Sequence, residues 1–336
     1  MKTSEIIVFI VYLLCMLGIG IFFFVKNRNG GEKTYFLGGR EMGPWVAALS
    51  AGASDMSAWV LMGLPTSIYA LGLGQVWIPV GLAIGYTISW LLEAPRLRKF
   101  SIVANDSITI PQYLTNRFLS KSLALQVICA IVFLVAYTIY AASSVKACGT
   151  LFHTVIGMDP QIAMYLAAVV IVGYTFLGGF SAVCWTDFFQ GMLVLGSMFI
   201  APIFAAFMLD TSSMSALPGG YLNPFSSWQD IVSGLAWGLG YFGMPHILVR
   251  FMAIRDPQEV KKSRNIAMIW VLISLSVAVC IGFTGAALYP NVAELAGNGN
   301  QRIFIYMTTH LFKGLIPLFM AGVILSGILA ATMSTS

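Results

Sequence analysis

The sequence predicts an all-α integral membrane protein, and three observations predict it. Of 336 residues, 58% are hydrophobic and 9% are charged, against about 25% charged in an ordinary soluble domain. Nine runs approach the ~20 mostly apolar residues that a membrane-crossing helix needs. Two of those runs are broken by glycine, proline and hydroxyl residues, and they stand five apart along the chain. This composition excludes a disordered, a nucleic-acid-binding or a secreted disulfide-rich protein. The formal net charge of +5 reads as cations that set topology rather than as a surface for an acidic partner.

Taken in order, the runs fall roughly at 6–25, 45–70, 75–92, 123–144, 160–178, 186–208, 231–254, 266–288 and 314–335. The first is too long for a signal-peptide core and lacks a small-residue cleavage site, so it is expected to stay as a span. Cations then set the orientation. With the N-terminus outside, the inner loops hold 14 of the 18 Lys and Arg, grouped at 26–40, 96–121 and 250–264. Lys2, Lys146, Arg302 and Lys313 remain outside. The opposite topology would reverse this bias. The stretch 290–312 reads as an outer loop with a short helix. The ninth run stops at Ser336 with no flanking charge, which points to a piece of a longer carrier. Cys15, Cys129, Cys148, Cys184 and Cys280 form no CxxC pair and sit in or beside apolar runs, so they are expected to be buried free thiols.

Helix breaks survive at bilayer depth only where protein or a water-filled cavity surrounds them. The second run carries Ala48-Leu-Ser-Ala-Gly-Ala-Ser-Asp-Met-Ser57, then Gly63 and Pro65; the seventh carries Trp237-Gly-Leu-Gly-Tyr-Phe-Gly-Met-Pro-His246. Either alone is equally a close helix contact through small residues. Together, five spans apart, they open two five-helix repeats of opposite direction, the sequence sign of a midplane binding site. The chain then reads as one transmembrane domain over 1–336: an extra first helix (6–25), a first repeat (45–208) and an incomplete second repeat (231–336).

Asp55 is the one carboxylate deep within a run, at about 2.5 to 3.5 kcal/mol near a helix centre. It reads either as part of an ion path or as the N-cap of the second half-helix. Asp187, at the inner start of the sixth run, reads as an N-cap or as a site. Gly178-Gly179 make the turn before it. Tyr140 faces a cavity or belongs to the interfacial aromatic belt. Trp237 and Tyr241, one α-helical turn apart, are expected to share a face. Ser334 and Thr335, like freed carbonyls, are oxygen ligands of the kind an alkali cation takes, or else bond back to their own helix. His153, His246 and His310 show no metal-binding spacing. No P-loop, nucleophile elbow or dinucleotide fingerprint appears, so neither an enzyme nor an ATP-driven pump is indicated.

In these segments, together with Tyr35-Phe-Leu-Gly-Gly-Arg40, Tyr137-Thr-Ile-Tyr140, Trp185-Thr-Asp187 and Ile328-Leu-Ala-Ala331, the sequence resembles the sodium:solute symporter family, and its bacterial proline-carrying branch most of all. The segments occur in order along the whole chain. The resemblance implies a leucine-transporter-like inverted-repeat core, a bacterial inner-membrane location and Na+ as coupling ion. It implies a sodium site at Ala53 and Met56 with Ala331, Ser334 and Thr335 opposite, and Asp55 and Asp187 in ion coupling. It implies L-proline, or a related small solute, at Ser57, Tyr140, Trp237, Tyr241 and Pro245, with Arg40 acting from the inner side. The bilayer is then the surrounding partner, with no nucleic acid and no obligate protein partner expected. Ala58 and Met244 depart from the branch, which has Gly and Gln there, and relatives continue through several more helices, so this piece alone is expected not to transport. Three alternatives stay open: another solute, proton coupling through Asp55, and a membrane sensory domain fused to a signalling module.

Overall fold

The computed structural model describes residues 3–209, 217–290, 292, 295, 299, 302–311, 326, 327, 330 and 333. Among them the chain is almost wholly helical, as its apolar composition requires: in hydrocarbon a helix satisfies every backbone group within its own segment. The helices are α1 (Thr3–Asn27), α2 (Glu32–Leu37), α3 (Pro44–Met56), α4 (Trp59–Leu71), α5 (Trp77–Val103), α6 (Ile110–Arg117), α7 (Ala124–Ile156), α8 (Pro160–Met208), α9 (Trp228–Ala236), α10 (Pro245–Ala253), α11 (Val260–Leu288) and α12 (Ile303–Leu311).

Their starts follow local chemistry. Pro44, Pro160 and Pro245 stand in the first helical turn, where the missing N–H costs no ladder bond. The side chains of Thr109, Asp159 and Ser227 accept backbone N–H groups at the starts of α6, α8 and α9, as N-caps do. α8 has 49 residues, roughly 74 Å at 1.5 Å per residue and far beyond a ~30 Å hydrocarbon core. It is two spans. Gly179 breaks them with φ 60° and ψ −159°, a conformation open to glycine and closed to most side chains. The expected turn at Gly178-Gly179 is there.

Among the described residues, five helices are long and apolar enough to cross a membrane, and α9 and α10 with the stretch between them make a sixth, bent by 49°. α3 and α4 form the other broken pair. Together with the division of α8, these account for eight of the nine expected runs; the ninth, 314–335, lies almost wholly outside the described residues. Apolar side chains on α7 such as Leu134 and Ile139 are exposed, the face a peripheral helix turns to lipid. α12 supplies the short helix expected between the eighth and ninth runs. α1 packs along α8, and α3 packs between α8 and α11, so the first broken helix is central.

Two expectations need correction. Cys148 and Cys184 are buried free thiols, but Cys15 and Cys280 are exposed on apolar helices and Cys129 is half-buried. An apolar thiol costs little against hydrocarbon, so burial inside the protein was not required. Arg250, counted with the inner-loop cations, lies within α10 and is 4% exposed; Arg40 and Arg98 are buried as well. Each of the three donates to partners inside the fold, which removes it from the loop surface.

Candidate functional site: a cavity between the two broken helices

α3 ends at Met56 because Ser57 leaves the helix at φ 49° and ψ −170°, a strained conformation for a non-glycine residue. Ser57 Oγ accepts the backbone N–H of Trp59 at 3.1 Å, and α4 begins there. Asp55 therefore sits in the last turn of α3, not at the start of α4, whose N-cap is Ala58 without a side-chain cap. The capping role is excluded by position. At a helix C-terminus a carboxylate meets the negative end of the dipole, so it calls for a donor or a cation. Tyr241 Oη donates to Asp55 Oδ2 at 2.6 Å, which ties the first broken helix to the second.

The second break is a tighter helix. Residues Trp237–Gly243 form a 3₁₀ turn, with three residues per turn in place of 3.6. This overturns the shared face expected of Trp237 and Tyr241. Tyr241 is buried at 1% exposure beside Asp55, while Trp237 is 47% exposed and stacks on Trp59 with ring centroids 5.3 Å apart. The tight turn also lets two backbones touch: a methyl group placed on Gly85 of α5 would lie 2.1 Å from the carbonyl oxygen of Gly238. Close contact through small residues and a helix break thus coexist here.

Between the breaks lies a cavity of about 340 Å³, whose walls include Asp55, Ser57, Trp59, Tyr140, Ser144, Trp237 and Tyr241. That is the lower end of the ~300–1,000 Å³ range of small-ligand sites. Its aromatic walls, single carboxylate and hydroxyls suit a small, partly apolar zwitterion. Tyr140 faces this cavity rather than the aromatic belt, and stacks on His246 at 6.1 Å. Ala58 and Met244, the two departures, line the same space. A larger recess of about 890 Å³ runs along α1 and α8, but apolar side chains such as Phe22 and Phe189 dominate it; it suits hydrocarbon.

The other expected residues disperse. Pro245 opens α10 and lines a separate cavity with Tyr137, His246 and Arg250. Ala53 and Met56 occupy the last turn of α3, where a helix ends its own hydrogen-bond ladder. Ala331, Ser334 and Thr335 lie outside the described residues; Met333, between them, is buried, and its carbonyl accepts Tyr174 Oη at 3.1 Å. Asp187 is neither an N-cap nor exposed. It lies inside α8 at 1% exposure, with Oδ2 accepting from Ser50 at 2.7 Å and from Arg250 Nη2 at 2.6 Å. Arg250 Nε donates to Ser50 Oγ at 2.6 Å. α3, α8 and α10 therefore meet at one buried ionic junction.

Arg40 is not part of the central cavity's lining. It is 6% exposed, and donates to Asp106, Ser101 Oγ, the Ser107 carbonyl and the Met252 carbonyl. Arg98 donates to the carbonyls of Ile254 and Arg255. Both cations thus serve the C-terminal end of α10, where positive charge is favoured. Met42 adds a parallel bridge, its N–H donating to the Ala253 carbonyl at 3.1 Å and its carbonyl accepting from Arg255 N–H at 2.9 Å. Partial burial pushes the Asp106 carboxyl up, but Lys33 and Arg40 outweigh it and hold it below the usual carboxylate range.

Sequence reasoning missed Trp59, Arg250 and Ser50. Arg250 carried a signal, since it falls inside the run 231–254 and an intramembrane Arg calls for an acid. Trp59 and Ser50 carried none, because pairing across spans is not written in spacing.

The sodium:solute symporter family model matches residues 35–336. A sodium/proline symporter of Salmonella typhimurium LT2 is 40% identical over 99% of this chain and 67% of its own length. One of Staphylococcus aureus JH9 is 40% identical over 97% of this chain and 64% of its own. The chain thus spans about two thirds of the length of the curated relatives it matches. A solved Na+-coupled sialic acid symporter, substrate-bound and outward-open, superposes with TM-score 0.83 at 19% identity, over 99% of this chain and 71% of that one. The two share one fold, leucine-transporter-like in its paired broken helices.

Proposed function

The chain belongs to the sodium:solute symporter family, and from that premise we propose that the protein is a secondary carrier that couples sodium entry to uptake of L-proline by alternating access. The observation that carries this reading is the Tyr241–Asp55 contact at 2.6 Å, which joins the two broken helices across a cavity of small-ligand size. Relatives named sodium/proline symporters at 40% identity favour proline over other solutes.

In this reading the sodium ion sits at the last turn of α3, near the Ala53 and Met56 backbone, with Ala331, Ser334 and Thr335 as its further ligands. Asp55 supplies negative charge close by. The ion offsets the unfavourable carboxylate at that helix end and fixes the geometry that presents Tyr241. Proline lies against Trp237, Tyr140 and Tyr241, with Ser57 at the break. Pro245 acts by setting the bend into α10 rather than by touching the solute. Asp187 serves ion coupling through the junction with Ser50 and Arg250, which transmits a shift of α3 to α10. Coupling is then a shared free energy, so each ligand tightens the other by the same factor. An inward-negative potential adds about 2.3 kcal/mol per charge per 100 mV.

The two repeats run over 45–208 and 231–336, after an extra helix at 6–25. The membrane is the bacterial inner membrane, with the N-terminus outside and Arg40 at the inner face, as the distribution of cations favours. The test is labelled proline uptake into proteoliposomes holding the full-length protein, first with an inward sodium gradient and then with potassium in its place. Uptake that requires sodium and falls away in Asp55→Ala supports the reading. Uptake indifferent to sodium points to proton coupling, and no proline uptake under either condition removes proline as the solute.

A further inference from the structure

A second recess, of about 390 Å³, opens between the C-terminal half of α5 and the short helix α6, and no part of the transport reading uses it. Two arginines line it, Arg96 from α5 and Arg117 from α6. Both are exposed. Neither forms an ion pair with a carboxylate among the described residues, although Arg117 lies over the Phe100 ring at 5.2 Å. The rest of the wall is mostly apolar and includes Phe100, Leu114 and Phe242. Glu93 also lines it, its Oε2 accepting the Ser89 hydroxyl at 2.7 Å.

The surroundings say what could fill such a recess. Val103 and Leu119 are exposed together with their chain neighbours Ile102 and Phe118, a grouping of large apolar side chains of the kind that marks a membrane contact. Cations beside them mark the level where hydrocarbon gives way to headgroups, on the side of the chain that carries the excess of Lys and Arg. Basic recesses between membrane helices at that level attract anionic lipid headgroups. An arginine fork matches phosphate oxygens in pairs. Glu93 can accept a headgroup hydroxyl, and its single negative charge is outweighed by Arg96 and Arg117, so the recess as a whole favours an anionic headgroup over a zwitterionic one.

We propose that this recess binds one anionic phospholipid of the phosphatidylglycerol kind, with Arg96 and Arg117 on its phosphate, Glu93 on a headgroup hydroxyl, and its acyl chains against Phe100 and Leu114. Phe242 belongs to the 3₁₀ turn of the second broken helix, so the lipid touches the element that carries Tyr241. The site stands whether or not the central cavity carries proline.

Native mass spectrometry of the detergent-solubilised full-length protein, titrated with phosphatidylglycerol, tests it. Wild type should retain one phosphatidylglycerol in preference to phosphatidylcholine. The Arg96→Gln/Arg117→Gln double variant should bind it roughly thirtyfold more weakly, about fivefold for each cation lost. The Arg96→Lys/Arg117→Lys variant, which keeps both charges, should hold most of the affinity, and this remains informative if the neutral variant folds poorly. Equal binding of phosphatidylcholine, or undiminished affinity in the double Gln variant, would overturn the proposal. Displacement of the lipid by inorganic phosphate would do so too, since it marks a site for a free anion.

Discussion

Arg250 donates to both Ser50 and Asp187, and the Ser50 hydroxyl donates to the same carboxylate oxygen, so three side chains on three helices form one hydrogen-bonded set with a formal charge of zero. Removing one member leaves the other charge buried, which costs about 3–5 kcal/mol, whereas replacing both with apolar groups is often neutral. Asp187→Leu and Arg250→Met should each therefore lower stability by about that much, and the double variant should recover most of it. Thermal unfolding of the four proteins closes the cycle, and strict additivity would show that the two residues do not act as a pair. At this scale the sequence offered Asp55, Tyr140, Trp237 and Tyr241 by residue type and place. It did not offer partners. The Asp55–Tyr241 and Asp187–Arg250 contacts join residues 186 and 63 positions apart, and nothing local to either residue encodes such a meeting.

The two broken helices were legible as interruptions because glycine, proline and short hydroxyl side chains weaken a helix by known physical means. What was not legible was the pitch. A glycine-rich stretch does not announce whether it unwinds or tightens, and the 3₁₀ turn at Trp237–Gly243 sends Trp237 and Tyr241 to different neighbours. That turn depends on close approach to α5. Gly85→Ala places a methyl group where the Gly238 carbonyl already lies, and backbone cannot yield as a flexible side chain can. It should cost about 1–3 kcal/mol, read as a lower unfolding temperature, while alanine at Gly196, with open space around it, should be tolerated better.

At the other end of α10, the Arg40 and Arg98 contacts make an electrostatic clamp with a defined pH response. Asp106 is held below the ordinary carboxylate range, so the contribution it makes to stability is present above about pH 4 and is lost as pH falls through its depressed value. The difference in unfolding temperature between wild type and Asp106→Asn should therefore be constant from about pH 7 to pH 5 and shrink only in more acid solution. A difference that vanished near neutrality would mean that Lys33 and Arg40 do not hold the carboxylate.

Across the whole molecule, the order of the described spans was readable because hydrocarbon imposes a length on every crossing, and the turn at Gly179 was readable because paired glycines between two apolar runs take backbone conformations that other residues resist. The cation count overstated the loop charge, since Arg40, Arg98 and Arg250 are buried: spacing along a chain does not say which cations find partners inside the fold. The central claim is that one contact between the broken helices, Tyr241 to Asp55, carries the coupling between ion and solute. Equilibrium binding of labelled proline to the full-length protein, with and without sodium, in wild type and in Tyr241→Phe, tests it most directly. A hydrogen bond to a charged group contributes about 1.5–3 kcal/mol, the same order as a typical coupling free energy of about 1–3 kcal/mol. Sodium should therefore raise proline affinity severalfold or more in wild type, and that enhancement should fall towards one in a folded Tyr241→Phe protein. A variant that binds proline with the full sodium enhancement of wild type would contradict the account.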